Sequence, residues 1–462
     1  MTPAPAPIEP HRCRRRTVLG RAIRRSIAAL CLLVPLARPA FVTPALAADS
    51  FADRVDIKGY VQESIAGRRG QISDVIFHRQ TFNSEVEIDA TDMLELRFAV
   101  DLWRDHPDFL GRDTFRSRVR EAYTKLAFED FDLRLGRFQV AWGQSDALIV
   151  ADQVTPFDLT NFIVPDFDEI RMGVDGALLD YYFDNGNEVE FVWLTRFTQP
   201  DFPDFNSPWA FFDLEQIQDA GLTLLNPEKP AWKLANSEYG VRYQGHPAAL
   251  DWSVGYLRSF DDRPAPRVIP PYVMPTHDRF NLFMADLAYP VGNYLIRAET
   301  AYENGRFLST FDPDNPLRAD ARSTAAAGFV AKQDVSRTLI GVDTKPDVPG
   351  WEQADLTLQL VHEQVVNPHP ALASSSRNDY FVMIASATYR NETIKPRLLS
   401  VVNEIGADAW VQARVDYEPI DNWRFSFEYD QFFGHAFNGS SGGLFGLFNR
   451  NDLFLLTLRR SY

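Results

Sequence analysis

Charged side chains recur at alternate positions within apolar stretches of this sequence. Glu95, Arg97 and Asp101 alternate with leucine, phenylalanine and valine, and the same spacing returns at 188–197 and 422–430. Alternate residues of an extended strand face opposite sides, so these charges share one face. A ring of such strands would place them in a lumen, where they would select solutes by size and charge. The predicted pore-lining residues are Glu95, Arg97, Asp101, Glu188, Glu190, Arg196, Arg424 and Glu428.

The stretch 143–172 breaks this alternation and carries a second group of charges. Pro156 and Pro165 argue against a central strand, because proline cannot donate a hydrogen bond to a strand ladder. Its apolar residues are too many for a solvated loop, so we predict that it folds into the lumen and narrows it. The alternative is an ordinary extracellular loop with one short helix. The predicted constriction residues are Asp152, Asp158, Asp166, Asp168, Glu169 and Arg171, and lumenal carboxylates would favour cations.

Catalytic patterns are weak in this sequence. The histidines beyond the amino-terminal region are scattered, and neither HExxH nor GxSxG occurs. Both cysteines, Cys13 and Cys31, lie in a predicted signal peptide, which excludes a thiolate metal site or a catalytic cysteine in the exported chain. We therefore predict no enzyme, no cofactor and no metal. A barrel hydrolase whose site assembles only in space stays an alternative.

The elements that must position these charges are strands. The alternating stretches are 93–103, 188–197, 354–363, 409–417 and 422–430. Strands of about nine to eleven residues cross an outer membrane at a tilt. A soluble sandwich also alternates, but the apolar face here carries Trp193, Trp423 and Phe425, which is typical of the aromatic girdles of a lipid-facing band.

The last strand predicts how the sheet closes. Phe454, Leu456, Leu458 and Tyr462 share one face of a strand that runs to the end of the sequence. Such a strand must pair with the first one, because an open sheet edge is not tolerated in lipid. The fold class we predict is therefore all-β, a transmembrane antiparallel β-barrel of roughly 14 to 18 strands with an inward-folded segment.

The amino-terminal region is predicted to be a secretory signal. A cluster of arginines precedes the apolar run 27–36, and Ala45-Leu46-Ala47 is a small-residue cleavage site. We predict a signal peptide at 1–47 and one barrel domain at 48–462. Arg15 and Arg16 leave twin-arginine export open beside the Sec route. The net charge of −16 argues against a nucleic-acid partner, which requires a basic face.

Connection lengths indicate how the strands are arranged. The turn at 417–422 is short, whereas 199–236, 260–278, 303–334 and 431–450 are long and rich in polar residues. Short periplasmic turns and long extracellular loops are the outer-membrane arrangement. The aromatic residues near 198–220 could form a binding platform, but we expect them to pack a small core within their loop.

Two motifs resemble a known family. Residues 136–143 read GRFQVAWG and residues 155–159 read TPFDL. They resemble the GRQxxxWGxS…NPxDL pattern of a proteobacterial outer-membrane family that is catalogued as a domain of unknown function and described as porin-like. Thr155 stands where that family favours asparagine, and Tyr462 where phenylalanine is commoner. The resemblance implies a monomeric or trimeric barrel, serving a hydrophobic or aromatic compound or a lipid-transport system.

The function we predict is passive passage of small solutes through an outer-membrane porin-like channel of a Gram-negative bacterium. Its partners would be outer-membrane lipid and a small-molecule solute. The alternatives are a substrate-specific transporter of hydrophobic or aromatic compounds or lipids, a barrel hydrolase, and a structural or adhesive barrel. Steady ion conductance would separate an open channel from a plugged transporter.

Overall fold

The alternating stretches form strands that join into one antiparallel sheet. The computed structural model describes residues 54–106, 114–204, 206–211, 214–311, 321–434 and 443–462, so the predicted signal peptide lies outside the described residues. Among the described residues, no helix has both the length and the apolar character needed to cross a membrane.

The strands are β1 (Val55–Arg68), β2 (Gln71–Thr91), β3 (Leu94–Asp105), β4 (Thr114–Ala127), β5 (Phe131–Phe138), β6 (Val174–Tyr182), β7 (Glu188–Leu194), β8 (Thr223–Leu224), β9 (Glu238–Gly245), β10 (Asp251–Phe260), β11 (Ala265–Ile269), β12 (Tyr272–Thr276), β13 (Arg279–Val291), β14 (Tyr294–Ser309), β15 (Val330–Thr344), β16 (Gln353–Val366), β17 (Arg377–Thr388), β18 (Ile394–Asn403), β19 (Asp408–Ile420), β20 (Trp423–Phe433) and β21 (Leu453–Ser461). Short helices lie at Phe167–Ile170, Leu214–Asp219, Leu234–Asn236, Ala321–Ala327 and Phe445–Phe448.

Eighteen of these strands form a closed barrel, in which each strand pairs with its neighbours along the chain. Closure occurs between β1 and β21, whose register runs from Tyr60 opposite Ser461 to Arg68 opposite Leu453. The backbones of Gly59 and Tyr462 exchange two further hydrogen bonds of 3.2 and 3.0 Å. The predicted all-β barrel, its strand number and the pairing of the last strand with the first are confirmed.

The five predicted strands correspond to β3, β7, β16, β19 and β20. Their apolar sides face outward, and Phe98, Phe191 and Phe425 remain 45%, 43% and 44% exposed. The predicted ends differ by three residues in several strands. β7 ends at Leu194 rather than at residue 197, where its pairing with β9 stops opposite Glu238, the first residue of β9, whereas β16, β19 and β20 continue to Val366, Ile420 and Phe433.

The longest connections all lie at the same end of the barrel. At one end lie short turns such as 92–93, 292–293 and 421–422, and we name this the short-turn end. At the other, the long-loop end, lie 195–237 and 434–452 among other long connections. The long segments found in the sequence all fall at this second end, where β8, β11 and β12 form a separate three-stranded sheet.

Aromatic side chains gather near the short-turn end, on strand ends and in the turns. Phe128 contacts Phe131 with ring centroids 4.5 Å apart, and Trp351 lies 5.9 Å from Tyr389 in another turn region. Trp423 and Phe425 stack at 6.4 Å on β20. Trp193, which the sequence predicted for the same aromatic girdle as Trp423 and Phe425, lies instead near the long-loop end of β7, and the assignment of these rings to a membrane interface stays a prediction.

Candidate functional site

The connection between β5 and β6, residues 139–173, enters the barrel, and we name it the lumen segment. It hydrogen-bonds to side chains on β14 and β16. Its later part forms ion pairs with β4, β19 and β21. Contacts with strands this far apart are possible only across the interior. The predicted inward fold of this stretch is therefore confirmed.

The first half of the lumen segment is anchored on β14. Glu299, which is 2% exposed, accepts hydrogen bonds from the backbone N–H groups of Gln144 and Ala151, at 2.5 and 2.6 Å. Arg297 forms an ion pair with Asp146 at 2.5 Å. Two backbone N–H groups of the segment thus find a charged acceptor inside the barrel.

The predicted constriction residues attach the second half to the opposite wall. Asp158 pairs with Arg118 of β4 at 2.5 Å, Asp166 pairs with Arg414 of β19 at 2.6 Å, and Glu169 pairs with Arg459 of β21. The remaining members are Asp168, whose backbone carbonyl accepts from Arg120, and Asp152 and Arg171, which pair within the segment at 2.5 Å. Most of these carboxylates are therefore already neutralised by arginines.

Burial and ion pairing act against each other on the carboxyls of this segment. Burial raises the pKa of Asp152, and it outweighs the opposing effects of Arg171 and the Trp142 N–H. Burial would also raise the pKa of Asp158, but Arg118 and two bonds from Thr160 outweigh it and leave that pKa below its ordinary value. The environment of Asp158 therefore favours the ionised carboxylate, whereas that of Asp152 disfavours it.

Thr155 organises the start of the segment. Its fully buried hydroxyl donates to the carbonyl of Val140 at 2.8 Å and accepts from the Val140 N–H at 2.9 Å. A hydroxyl can donate and accept at once, so threonine satisfies both backbone groups here. The departure from the asparagine of the family pattern therefore leaves no unpaired group at this point.

Most of the predicted pore-lining residues lie on the inner face of the wall. Arg97 contacts Glu85, Glu87 and Glu121 at 3.0, 2.7 and 2.6 Å. The others are engaged as follows: Glu95 lies 4.0 Å from Lys125, Asp101 accepts from Asn83, Glu190 accepts from the Trp142 indole, Arg424 pairs with Glu418, Glu428 lies 3.7 Å from Arg414, and Glu188 stands on the inner face of β7. Arg196 is the exception, because it lies beyond the end of β7 and binds Asp175, on the outer face of β6, at 2.5 Å.

Two loops at the long-loop end cover the lumen segment. The ring of Phe162 lies 4.4 Å from that of Phe448 and 6.1 Å from that of Trp209, which is 1% exposed. Phe211 contacts the same two phenylalanines at 5.6 and 5.9 Å. The aromatic residues near 198–220 therefore pack a core, as expected, but that core is shared with the lumen segment and with the loop before β21.

A cavity of about 950 Å³ remains between the lumen segment and the inner face of β15–β19. Its lining is mostly apolar and includes Leu148, Ile163, Leu399 and Trp410. The polar side chains on its wall include Arg337, Glu363, Tyr380, Arg397 and Gln412. Glu363 and Gln412 lie on the polar sides of the predicted strands 354–363 and 409–417, but sequence reasoning did not predict a site at any of these wall residues. Alternation marks them as inner-face positions, but it does not reveal which part of the wall the segment leaves uncovered.

Two other clusters contain side chains of the types that bind metals or catalyse hydrolysis. Carboxylate oxygens of Glu87, Asp89 and Glu95 lie within 4.8 Å of one another, but Arg97 already binds Glu87. Ser323 Oγ lies 3.4 Å from Nε2 of His369, whose Nδ1 accepts from the Ala371 N–H. That bond leaves the proton of the neutral ring on Nε2, so this histidine cannot remove a proton from the serine.

Comparisons with known proteins give a family and a fold. Residues 104–461 match the family described as a protein of unknown function (DUF1302). No curated protein matches the sequence. OccAB3 of Acinetobacter baumannii is similar in structure at a TM-score of 0.51, with 7% identity over 89% of this chain and 99% of its own. OccAB1 of the same organism gives 0.50, with 10% identity over 88% and 96%. OmpT, an outer membrane protein of Vibrio cholerae solved in a trimer form, gives 0.40, with 11% identity over 88% and 99%. Identities this low establish similarity of fold alone.

Proposed function

This chain belongs to the DUF1302 family, whose function is unknown, and we propose that it is an outer-membrane channel that passes small solutes through a narrowed lumen. The observation that carries the proposal is the lumen segment, which crosses a closed 18-stranded barrel yet leaves a cavity of about 950 Å³ along one wall. A barrel of this size without such a segment encloses a wide aqueous pore. The segment would therefore set the limiting width.

The proposed route runs between the lumen segment and the inner face of β15–β19. The ion pairs of Asp146 with Arg297 and of Asp166 with Arg414 attach the segment on either side of this route. Between them, the described residues show no hydrogen bond or ion pair from the segment to β17 or β18. A solute would thus meet apolar side chains of the segment on one side and the wall on the other.

Planar-bilayer recording tests this proposal. Replacing residues 145–170 with a short glycine-serine linker should raise single-channel conductance several-fold, because the segment would no longer occupy the lumen. Heat-modifiable mobility on gels provides the control that the variant barrel is folded. An unchanged conductance in a folded variant would contradict the proposal that this segment limits the pore.

The apolar lining favours one second candidate, a transporter for a hydrophobic or aromatic compound. Ligand sites are mostly apolar concavities with few polar groups, and this cavity fits that description. A transporter of this kind would show almost no ion conductance, whereas an open channel would conduct ions steadily.

The number of barrels in the assembly is a separate question. Cross-linking before detergent extraction would decide between a monomer and a trimer.

A further inference from the structure

The cavity beside β15–β19 contains one arginine that differs from its neighbours. Arg337 forms ion pairs with Glu303 and Glu363, and Arg263 lies 3.9 Å from Glu303. Arg397 lines the same cavity, yet no carboxylate of the described residues lies within ion-pairing distance of it. In a chain with a net charge of −16, an inner arginine without an acidic partner is conspicuous.

The surroundings of Arg397 hold its guanidinium in place. Gln412 donates from Nε2 to Asp430 at 3.2 Å, and its Oε1 accepts from Nη1 of Arg397 at 3.3 Å. Trp410 donates to the same Asp430 oxygen at 2.8 Å, and Asp430 is 1% exposed. The amide of Gln412 is therefore oriented by a buried carboxylate, and its oxygen is left for the arginine.

The two cross-strand neighbours of Arg397 do not neutralise it. Ser386 of β17 stands opposite it on one side and Arg414 of β19 on the other. Arg414 is already paired with Asp166 and Asp416, at 2.6 and 2.8 Å. A guanidinium has five N–H donors, and among the described residues Arg397 uses only the one directed at Gln412.

We propose that this cavity binds an organic carboxylate with an apolar body, whose carboxylate is received by Arg397. The apolar body would lie against Leu148, Ile163 and Leu399, which line the same space. The remaining donors of Arg397 match a carboxylate in charge and geometry. This inference rests on the proposed function and names the solute class for it. The cavity volume of about 950 Å³ lies within the range of small-molecule sites.

Three probes that share one apolar body test the inference: phenylbutyrate, phenylbutanol and phenylbutylamine. Binding to the refolded protein is measured by titration calorimetry in detergent. The carboxylate should bind about tenfold more tightly than the alcohol, since a charged hydrogen bond contributes that much, and the amine should bind most weakly. The variant Arg397→Gln should reduce the carboxylate to the affinity of the alcohol, and Arg397→Lys should keep part of the preference.

A control substitution separates this site from a general loss of positive charge. Arg390→Gln removes an arginine from the turn between β17 and β18, where it lies over the ring of Tyr389. It should leave all three affinities unchanged. Equal binding of carboxylate and alcohol to the natural protein, or a full preference retained in Arg397→Gln, would overturn the inference.

Conductance recorded on the same preparations keeps the two proposals separate. A protein that conducts ions but shows no preference for the carboxylate refutes the binding site and leaves the channel. A protein that shows the preference but does not conduct refutes the channel and supports the site.

Discussion

Replacing Glu299 should release the first half of the lumen segment from the wall. This carboxylate is 2% exposed and accepts from the N–H groups of Gln144 and Ala151, at 2.5 and 2.6 Å. Glu299→Gln removes the charge and replaces one acceptor oxygen with a donor NH₂ group. The free energy of local opening of the lumen segment should fall by about 1–3 kcal/mol. Glu299→Ala leaves both buried donors unpaired, which should cost about 2–6 kcal/mol.

Amide hydrogen exchange measures this directly. Local opening governs exchange, so a loss of about 2 kcal/mol should accelerate exchange at Gln144 and Ala151 roughly thirty-fold. The glutamine variant should lie between the natural protein and the alanine variant. The control is Glu188→Gln, which removes the same charge from an inner-face side chain that, among the described residues, makes no hydrogen bond to the lumen segment.

Protection of both amides at the natural level in Glu299→Ala, in a barrel that is otherwise folded, would refute this reasoning. It would mean that packing, rather than the carboxylate, holds the segment. Single-channel recordings of the same variants provide a second measurement, because a segment that opens more often should produce larger current fluctuations.

Three further substitutions and one control substitution test other parts of the structure. Gly143 has a φ of +111°, and a Cβ there would lie 2.6 Å from Oε1 of Glu299, so Gly143→Ala should cost about 1–3 kcal/mol in denaturant unfolding. Gly186→Ala, at φ +80° with open space around it, isolates backbone strain from this clash. Asp166→Asn should lower the free energy of local opening of residues 163–171, measured by amide hydrogen exchange, by at most about 1 kcal/mol, because the Asp166 side chain is 42% exposed. A larger loss would show that the Asp166–Arg414 ion pair is a principal attachment of the lumen segment. Phe425→Arg would lower the free energy of unfolding in vesicles by roughly 2–4 kcal/mol at the bilayer midplane, but the position of Phe425 near the short-turn end predicts a loss of only about 0–1 kcal/mol. A loss of roughly 2–4 kcal/mol would contradict its placement at the membrane interface.

The attachments of the lumen segment explain why its carboxylates need not act as a cation filter. A carboxylate ring selects cations when its charges face the solute without compensation. Here Asp158, Asp166 and Glu169 are paired with arginines of the wall. Cation selectivity of this segment stays a prediction, and reversal-potential measurements in a salt gradient would test it.

The strands and their two faces could be predicted from the amino-acid sequence alone. Side-chain direction along a strand repeats every two residues, so a local pattern such as Glu95, Arg97 and Asp101 is enough to assign the inner face. The pairing of the final strand with the first could also be predicted from the sequence, because an open strand edge beside an apolar face requires a partner. Arg196 was misplaced because the pattern alone does not reveal where β7 stops.

The way in which the barrel interior is filled could not be predicted from the sequence. Asp166 meets Arg414 across 248 positions of sequence and Glu169 meets Arg459 across 290, and no local periodicity encodes such a pairing. The sequence likewise does not distinguish Arg397 from the other inner-face arginines. Its lack of an acidic partner among the described residues becomes visible only when the spatial neighbours of all of them are compared. Side-chain direction is a property of a few adjacent residues, whereas compensation of charge depends on which distant strands the closed barrel brings together.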